Sequence, residues 1–207
     1  METPSTTHIQ YFRDQMQQFT TFTDREWSIF TDYLYLKRFS KKELFVEEGK
    51  ICQEIAFIGE GSFRLYFTKE GVQINNYFCF SGDLISAYSS FLRQNKSFIN
   101  IEAMQDSLLI CISSTGMKEM MEHPILNPRM ETFRREIAEY LICCYEDRLL
   151  AFIGQTPEER YQELLLKQPG LFQKIPQHYI ANFLGITPVS LSRIRKRILQ
   201  QAKIASR

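Results

Sequence analysis

From Phe39 to about Ile112 the chain is cut into short apolar segments by turn signals roughly every ten residues, and no other feature limits the fold as strongly. The segments are Glu43–Val46, Ile55–Ile58, Phe63–Phe67, Ile74–Phe80, Ser97–Ala103 and Leu108–Ile112. Glu48-Gly49, Gly59-Glu60-Gly61, Lys69-Glu70-Gly71 and Ser81-Gly82-Asp83 punctuate them. Such spacing leaves no room for crossover helices, so it argues against βαβ units and for an antiparallel sandwich or barrel. Phe63–Phe67 and Gly71–Phe78 flank a Glu-Gly turn and read as a hairpin. Residues 38–113 are therefore expected to form an all-β domain.

Helical patterns flank this region. Residues 8–37 carry Phe12, Met16 and Phe19, then Trp27, Phe30 and Leu34, at helical spacing. Thr23 and Glu26 have the spacing of a capping box. Helix resumes near Thr115 and is punctuated by Pro124 and Pro128. From Arg129 to about Phe152 it runs without a break, a rod of roughly 35 Å. Phe133, Ile137, Tyr140, Leu141 and Cys144 lie on its apolar stripe and are expected to form a dimer face; burial within one subunit is the other outcome. Thr156-Pro157-Glu158-Glu159 opens a further helix with a second capping box. Leu171–Ile175 reads as a short extended piece.

The net charge of +1 hides an asymmetry. From Arg160 onward nine Lys/Arg stand against one acid, +8 over 48 residues, and the rest of the chain carries −7. A basic module on a mildly acidic body suits a polyanion, although charge alone also fits a solvated basic face. The segment 176–199 reads PQHYIANFLGITPVSLSRIRKRIL. A first helix from Gln177 to Leu184 turns Ile180, Ala181 and Leu184 inward. Gly185 supplies the turn and Ile186 fills the angle. Thr187 caps a second helix over Val189–Gln200, entered at Pro188, with Leu191, Ile194 and Ile198 on its buried face.

This is the pattern of a helix-turn-helix whose second helix enters a major groove. Arg193 is placed for a bidentate pair with a guanine edge, and Val189 for a thymine methyl. Ser190 and Ser192 are short donors, and Pro188 lies on the same outer surface. Arg195, Lys196 and Arg197 are expected to hold phosphates. Gln177 and Thr187 stand at helix starts, where backbone N–H groups also attract phosphate. His178 faces DNA or solvent.

With 44% hydrophobic and 24% charged residues the chain is neither disordered nor a disulfide mini-protein. No apolar run is long enough to span a bilayer, and the first residues have no secretory pattern, so no membrane partner is expected. Five cysteines, an odd number without a CxxC pair, point to a reducing, cytoplasmic setting. There is no GxxxxGK, GxGxxG, HExxH or GxSxG motif. A cupin-like metal enzyme would need paired histidines, and residues 38–113 contain none. No enzyme and no metal site is expected.

Two stretches resemble the CRP/FNR family of bacterial transcription regulators. One runs from Leu44-Phe45-Val46-Glu47-Glu48-Gly49 through Ile55–Leu65 and on to Phe80-Ser81-Gly82-Asp83-Leu84-Ile85, similar to that family's glycine-punctuated roll. The other runs from Ile180-Ala181 to Arg197, and its Ile186–Arg195 part looks especially like the Bacteroidetes branch. The resemblance implies an α+β chain: an N-terminal antiparallel β-roll (a cyclic-nucleotide-binding-like double-stranded β-helix), a long dimerisation helix, and a winged-helix-like helix-turn-helix domain. The corresponding boundaries are 1–127, 128–155 and 156–207. It also implies a homodimer that binds a double-stranded operator, responds to a small-molecule effector and acts on RNA polymerase.

Gly82, Asp83, Leu84, Ser97 and Phe98 would then line the effector pocket. The family's nucleotide binders place an arginine where this chain has Ser97-Phe98, so a cyclic nucleotide is not expected; loss of that cation removes a charge-assisted clamp. Cluster binders use closely spaced N-terminal cysteines, and none precedes Cys52. Neither an iron–sulfur cluster nor haem is expected. The alternative is a ligand-sensing or interaction module whose basic tail does not bind DNA.

Overall fold

The computed structural model describes residues 2–167, 170 and 175–205. The chain forms two compact units, Met1–Leu141 and Ile142–Arg207. Of the expected extended piece Leu171–Ile175, all but Ile175 lies outside the described residues. No helix among the described residues is long and apolar enough to cross a membrane.

The first unit opens with α1 (Thr6–Met16) and α2 (Asp24–Thr31). Eight strands follow among the described residues: β1 (Tyr35–Phe39), β2 (Leu44–Val46), β3 (Glu54–Glu60), β4 (Ser62–Lys69), β5 (Val72–Phe80), β6 (Leu84–Ile85), β7 (Asn100–Ala103) and β8 (Ser107–Ser113). They build two four-stranded sheets, β1-β8-β3-β6 and β2-β7-β4-β5, with antiparallel pairing throughout. The out-of-sequence order makes this a roll and not a meander. A short helix α3 (Tyr88–Arg93) interrupts the strand series after β6. Then come α4 (Ser114–Glu122) and the long α5 (Asn127–Gly154), whose residues fall in both units.

The helical reading of residues 8–37 is corrected at its end. Tyr35–Phe39 is a strand, paired residue by residue with β8 from Tyr35↔Cys111 to Phe39↔Ser107. Leu34 and Leu36 are both buried, so the pattern passes there from helical spacing to the two-residue alternation of a strand. The β4–β5 hairpin turns at Glu70 and Gly71, both left-handed (φ 52° and 79°), as the tight hairpin turns that match strand twist require. At Gly61 the φ is 103°, and a Cβ there would lie 2.1 Å from Ser107 Oγ.

The core lies between the two sheets and extends under the helices. Phe12, Trp27, Phe30 and Phe57 pack ring against ring at 4.8–6.0 Å. Met130, Phe133 and Ile137 of α5 complete it, none more than 7% exposed. Phe133 and Ile137 are thus corrected as dimer-face residues: the first turns of α5 use their apolar stripe to close the chain's own core. Leu141 is half-buried against the same core, and Tyr140 meets Phe19 edge-on at 5.7 Å.

The capping box of α2 forms as its residues predict. Thr23 N donates to Glu26 Oε2 (2.7 Å), and Glu26 N to Thr23 Oγ1 (3.3 Å). Arg129 of α5 also reaches Glu26, at 3.4 Å. Burial opposes ionisation of Glu26, but the Thr23 bonds and Arg129 outweigh it and hold the carboxyl below its usual range. The folded state therefore binds that proton less tightly than the unfolded chain. The stabilisation is present above the ordinary carboxylate pKa and lost as pH falls through the depressed one. Glu26→Gln keeps the cap acceptor and removes the charge. It is expected to lower stability by about 1 kcal/mol at pH 7, with the gap closing in acid. Thermal melts of both proteins between pH 7 and 3 check this.

Candidate nucleic-acid interface and effector region

The second unit contains the C-terminal part of α5, α6 (Pro157–Lys167), α7 (Gln177–Phe183) and α8 (Pro188–Ala205). Gly185 joins α7 to α8 at φ 73°, a conformation that costs glycine little. Its N–H bonds to Asn182 O (3.0 Å), and Ile186 N–H to Ala181 O (2.9 Å), which fixes the turn. Thr187 Oγ1 then accepts from Ser190 N (3.1 Å) and caps α8. Ile180, Ala181, Leu184, Leu191 and Ile194 are buried. The helix runs to Ala205, beyond the expected end at Gln200.

The outer face of α8 carries Pro188, Val189, Ser192, Arg193, Lys196 and Arg197, all exposed, with Ser190 and Arg195 half-buried. Gln177, His178 and Thr187 are exposed as well. The cations divide into two sets. Arg197 pairs with Glu158 of α6 at 2.5 Å. Arg195 bonds the Tyr161 hydroxyl, whose burial raises the phenol's pKa while Arg195 opposes the rise. Arg193 and Lys196 make no ion pair with any described residue. Of the three cations expected to hold phosphates, Arg195 and Arg197 are thus engaged within their own unit. Ser190 Oγ lies 3.0 Å from Thr187 Oγ1 and belongs to the cap.

In the roll, the expected effector residues fall on two segments of the chain. Gly82 and Asp83 make the β5–β6 turn, tied to β3 by Gly82 N→Ile58 O and Ile58 N→Asp83 O, each 3.0 Å. Asp83 Oδ2 accepts from Phe80 N at 2.8 Å. Leu84 packs half-buried on the core. Ser97 is anchored instead to the Gly49–Lys50 turn, and its hydroxyl is bonded to the Ile99 backbone. Phe98 is 80% exposed, whereas the neighbouring Ser97 is buried. An open cleft of about 260 Å³ runs along Leu44–Glu54, and none of the five residues lines it.

The sequence reading missed a polar cluster on the sheet β2-β7-β4-β5. Phe63 and Leu65 face the core, so Arg64 points to the opposite side, yet it is only 2% exposed. Its guanidinium holds Glu102 through Nε (3.0 Å) and Nη2 (3.1 Å), Asn75 Oδ1 through Nη1 (3.1 Å) and Gln73 Oε1 through Nη2 (2.8 Å). It also lies 4.0 Å from the centre of the Tyr66 ring. An arginine inside the run Phe63-Arg64-Leu65-Tyr66-Phe67 was the available signal.

Residues 36–123, which span all eight strands apart from the start of β1, match the model of the cyclic nucleotide-binding domain. The β-roll is thus similar to that domain over these residues. No curated protein matches the chain by sequence. Among solved structures, FixK2 from Bradyrhizobium japonicum is 16% identical with a TM-score of 0.65, covering 82% of this chain and 86% of its own. CLP of Xanthomonas campestris, described as a c-di-GMP responsive global regulator, is 11% identical with a TM-score of 0.66, covering 87% and 93%. Both are CRP/FNR-family transcription regulators, and the chain has their fold: antiparallel roll, long helix and C-terminal helices. The cAMP-bound PfPKA-R chain is similar over a shorter stretch, with 14% identity and a TM-score of 0.51; 56% of this chain covers 42% of that one.

Within the cyclic nucleotide-binding-type roll, Cys52, Cys79 and Cys111 are buried; Cys143 is exposed and Cys144 half-buried on α5. Burial pushes the Cys79 and Cys111 thiols well up, which keeps them protonated and unreactive. Among the described residues no group of three His, Cys, Asp or Glu side chains is placed to hold a metal.

Proposed function

We propose that this chain is a homodimeric, sequence-specific DNA-binding transcription regulator whose operator affinity is set by a small-molecule effector at the β-roll. The CRP/FNR fold supports a regulator with an effector-binding domain. The observation that carries DNA binding is the outer face of α8. Its capped N-terminus, exposed Val189 and Ser192, and Arg193 and Lys196, which form no ion pair with a described residue, stand on a helix that a fixed glycine turn holds against α7. In this reading Arg193 reads a base edge and Lys196 holds phosphate, while Arg195 and Arg197 chiefly brace α8 against α6. Two copies would place two such helices on half-sites of a pseudo-palindromic operator.

The dimer seam in this proposal differs from the one expected from sequence. On the part of α5 within the second unit, Ile142, Tyr145, Leu149 and Ile153 recur at three- and four-residue spacing and are 57–75% exposed. A repeat of that kind on a water-exposed helix suits a second copy of itself. RNA polymerase and a small-molecule effector are the further partners of this reading.

Gel shift with a duplex enriched from a random pool by the wild-type chain, repeated across a salt series, tests the reading; absence of binding at low salt refutes it. Arg193→Ala is expected to weaken the enriched duplex by about 1–3 kcal/mol and to relax preference at one base position. Equal loss on every sequence would instead assign Arg193 to phosphate.

A further inference from the structure

The helix α7 has seven residues and no side-chain N-cap, too short to hold its shape alone. Its C-terminal carbonyls are met by two arginines from other helices of the same unit. Arg160 of α6 donates through Nη2 to Leu184 O (3.0 Å) and through Nη1 to Gln155 O (2.6 Å). Arg148 of α5 donates to Phe183 O (3.5 Å) and lies 4.0 Å from the centre of the Phe183 ring. Between them stands Phe152, 5.1 Å from the Arg148 guanidinium and 4.7 Å from that of Arg160. The same ring closes on the turn: a Cβ added at Gly185 would sit 3.4 Å from Phe152 Cε1. Cations at a helix C-terminus oppose its negative dipole end and satisfy carbonyls that have no helical partner.

We infer that Arg148, Arg160 and Phe152 are positioning residues for DNA recognition, clamping the C-terminal end of α7 so that the Gly185 turn delivers α8 at one angle. This rests on the reading of α8 as the DNA-reading helix. None of the three belongs to α8's outer face, so their effect on DNA is indirect. Arginine is suited to this role because guanidinium forks bond carbonyls in plane and stack on rings, which an ammonium does not reproduce. The clamp also makes the last turns of α5 part of the recognition unit, so that a change in α5 reaches the turn through Arg148 and Phe152.

The test uses the full chain with Arg148→Met, Arg160→Met and Arg148→Lys. Amide exchange without DNA reads the clamp directly at Leu184, Gly185 and Ile186, whose N–H groups bond Ile180 O, Asn182 O and Ala181 O. Protection there is expected to fall about tenfold in both Met variants, with the β-strands unchanged and lysine restoring little of it. Affinity for the enriched duplex is expected to fall about tenfold while the salt slope stays that of wild type, because no phosphate contact is lost. Should Arg160→Met not fold, the two Arg148 variants carry the same readouts. Unchanged protection at the turn overturns the clamp, and a salt slope reduced by about one reassigns the arginine to phosphate. If the wild type enriches no duplex, the DNA reading fails; the exchange data then still decide whether the clamp exists.

Discussion

Glu102→Leu is expected to destabilise the roll by about 3–5 kcal/mol, because it leaves the Arg64 guanidinium buried without its counter-charge. Arg64 and Glu102 are direct cross-strand partners on β4 and β7, with side chains 3% and 14% exposed. The carboxylate takes both Nε and Nη2, and it also accepts from the Tyr66 hydroxyl at 3.4 Å. Removing it takes the counter-charge from a buried cation that keeps the neutral acceptors of Asn75 and Gln73, and takes a bond from the Tyr66 phenol. Removing both charges is a different matter. Arg64→Met with Glu102→Leu replaces the pair by apolar groups of similar length, and a buried pair seldom exceeds its own desolvation cost by much. The double variant is expected to regain most of the single variant's loss. Denaturant unfolding of the four proteins in this cycle measures the coupling. A single-variant cost below about 1 kcal/mol would mean that the pair behaves as a solvated one. Because the two residues face each other in register, the pair also opposes a slip of β4 against β7: a shift by one residue would turn Arg64 into the core where Phe63 and Leu65 sit.

The elements legible in the sequence are those fixed by local chemistry. Thr23 with Glu26, and Thr156 with Glu159, announce helix starts through bonds that close within four residues, and both boxes form. Gly185, Thr187 and the inward positions Ile180, Ala181, Leu184, Leu191 and Ile194 are similarly short-range. The strands declared themselves by turns and alternation. What was not legible depends on partners distant in the chain. Tyr35–Phe39 continues an apolar pattern that begins in α2, and only pairing with β8, over seventy residues later, makes it a strand. β6 is two residues long, and its strand character comes from β3. On α5 the apolar positions exceed one stripe; which of them face the chain's own core depends on the roll, so Phe133 and Ile137 could not be told from Ile142 and Leu149 by spacing. The same holds for charges. Arg193 and Arg197 are alike as letters, but Glu158 on α6 occupies the second and leaves the first outward.

That division of α5 leads to the other large effect. Leu149→Glu is expected to raise the dimer dissociation constant by at least about a hundredfold, some 3 kcal/mol, since a symmetric seam receives the new carboxylate twice. Leu149 is 60% exposed in the single chain, so the substitution costs little within the unit itself and its effect falls on association. Phe133→Glu offers the contrast: that side chain is 1% exposed in the core, and its replacement would unfold the first unit before any question of pairing arose. Sedimentation velocity across a concentration series separates the two, together with thermal melts that are expected to leave Leu149→Glu near wild type at low concentration. Operator affinity should fall with the dimer, because a lone α8 has one half-site to read and each half-site supplies only part of the binding energy. If Leu149→Glu sediments like the wild type, the seam lies on another face. If it becomes monomeric and still grips the enriched duplex with full affinity, recognition does not require two copies and the palindromic reading is lost, while a DNA contact through Arg193 survives.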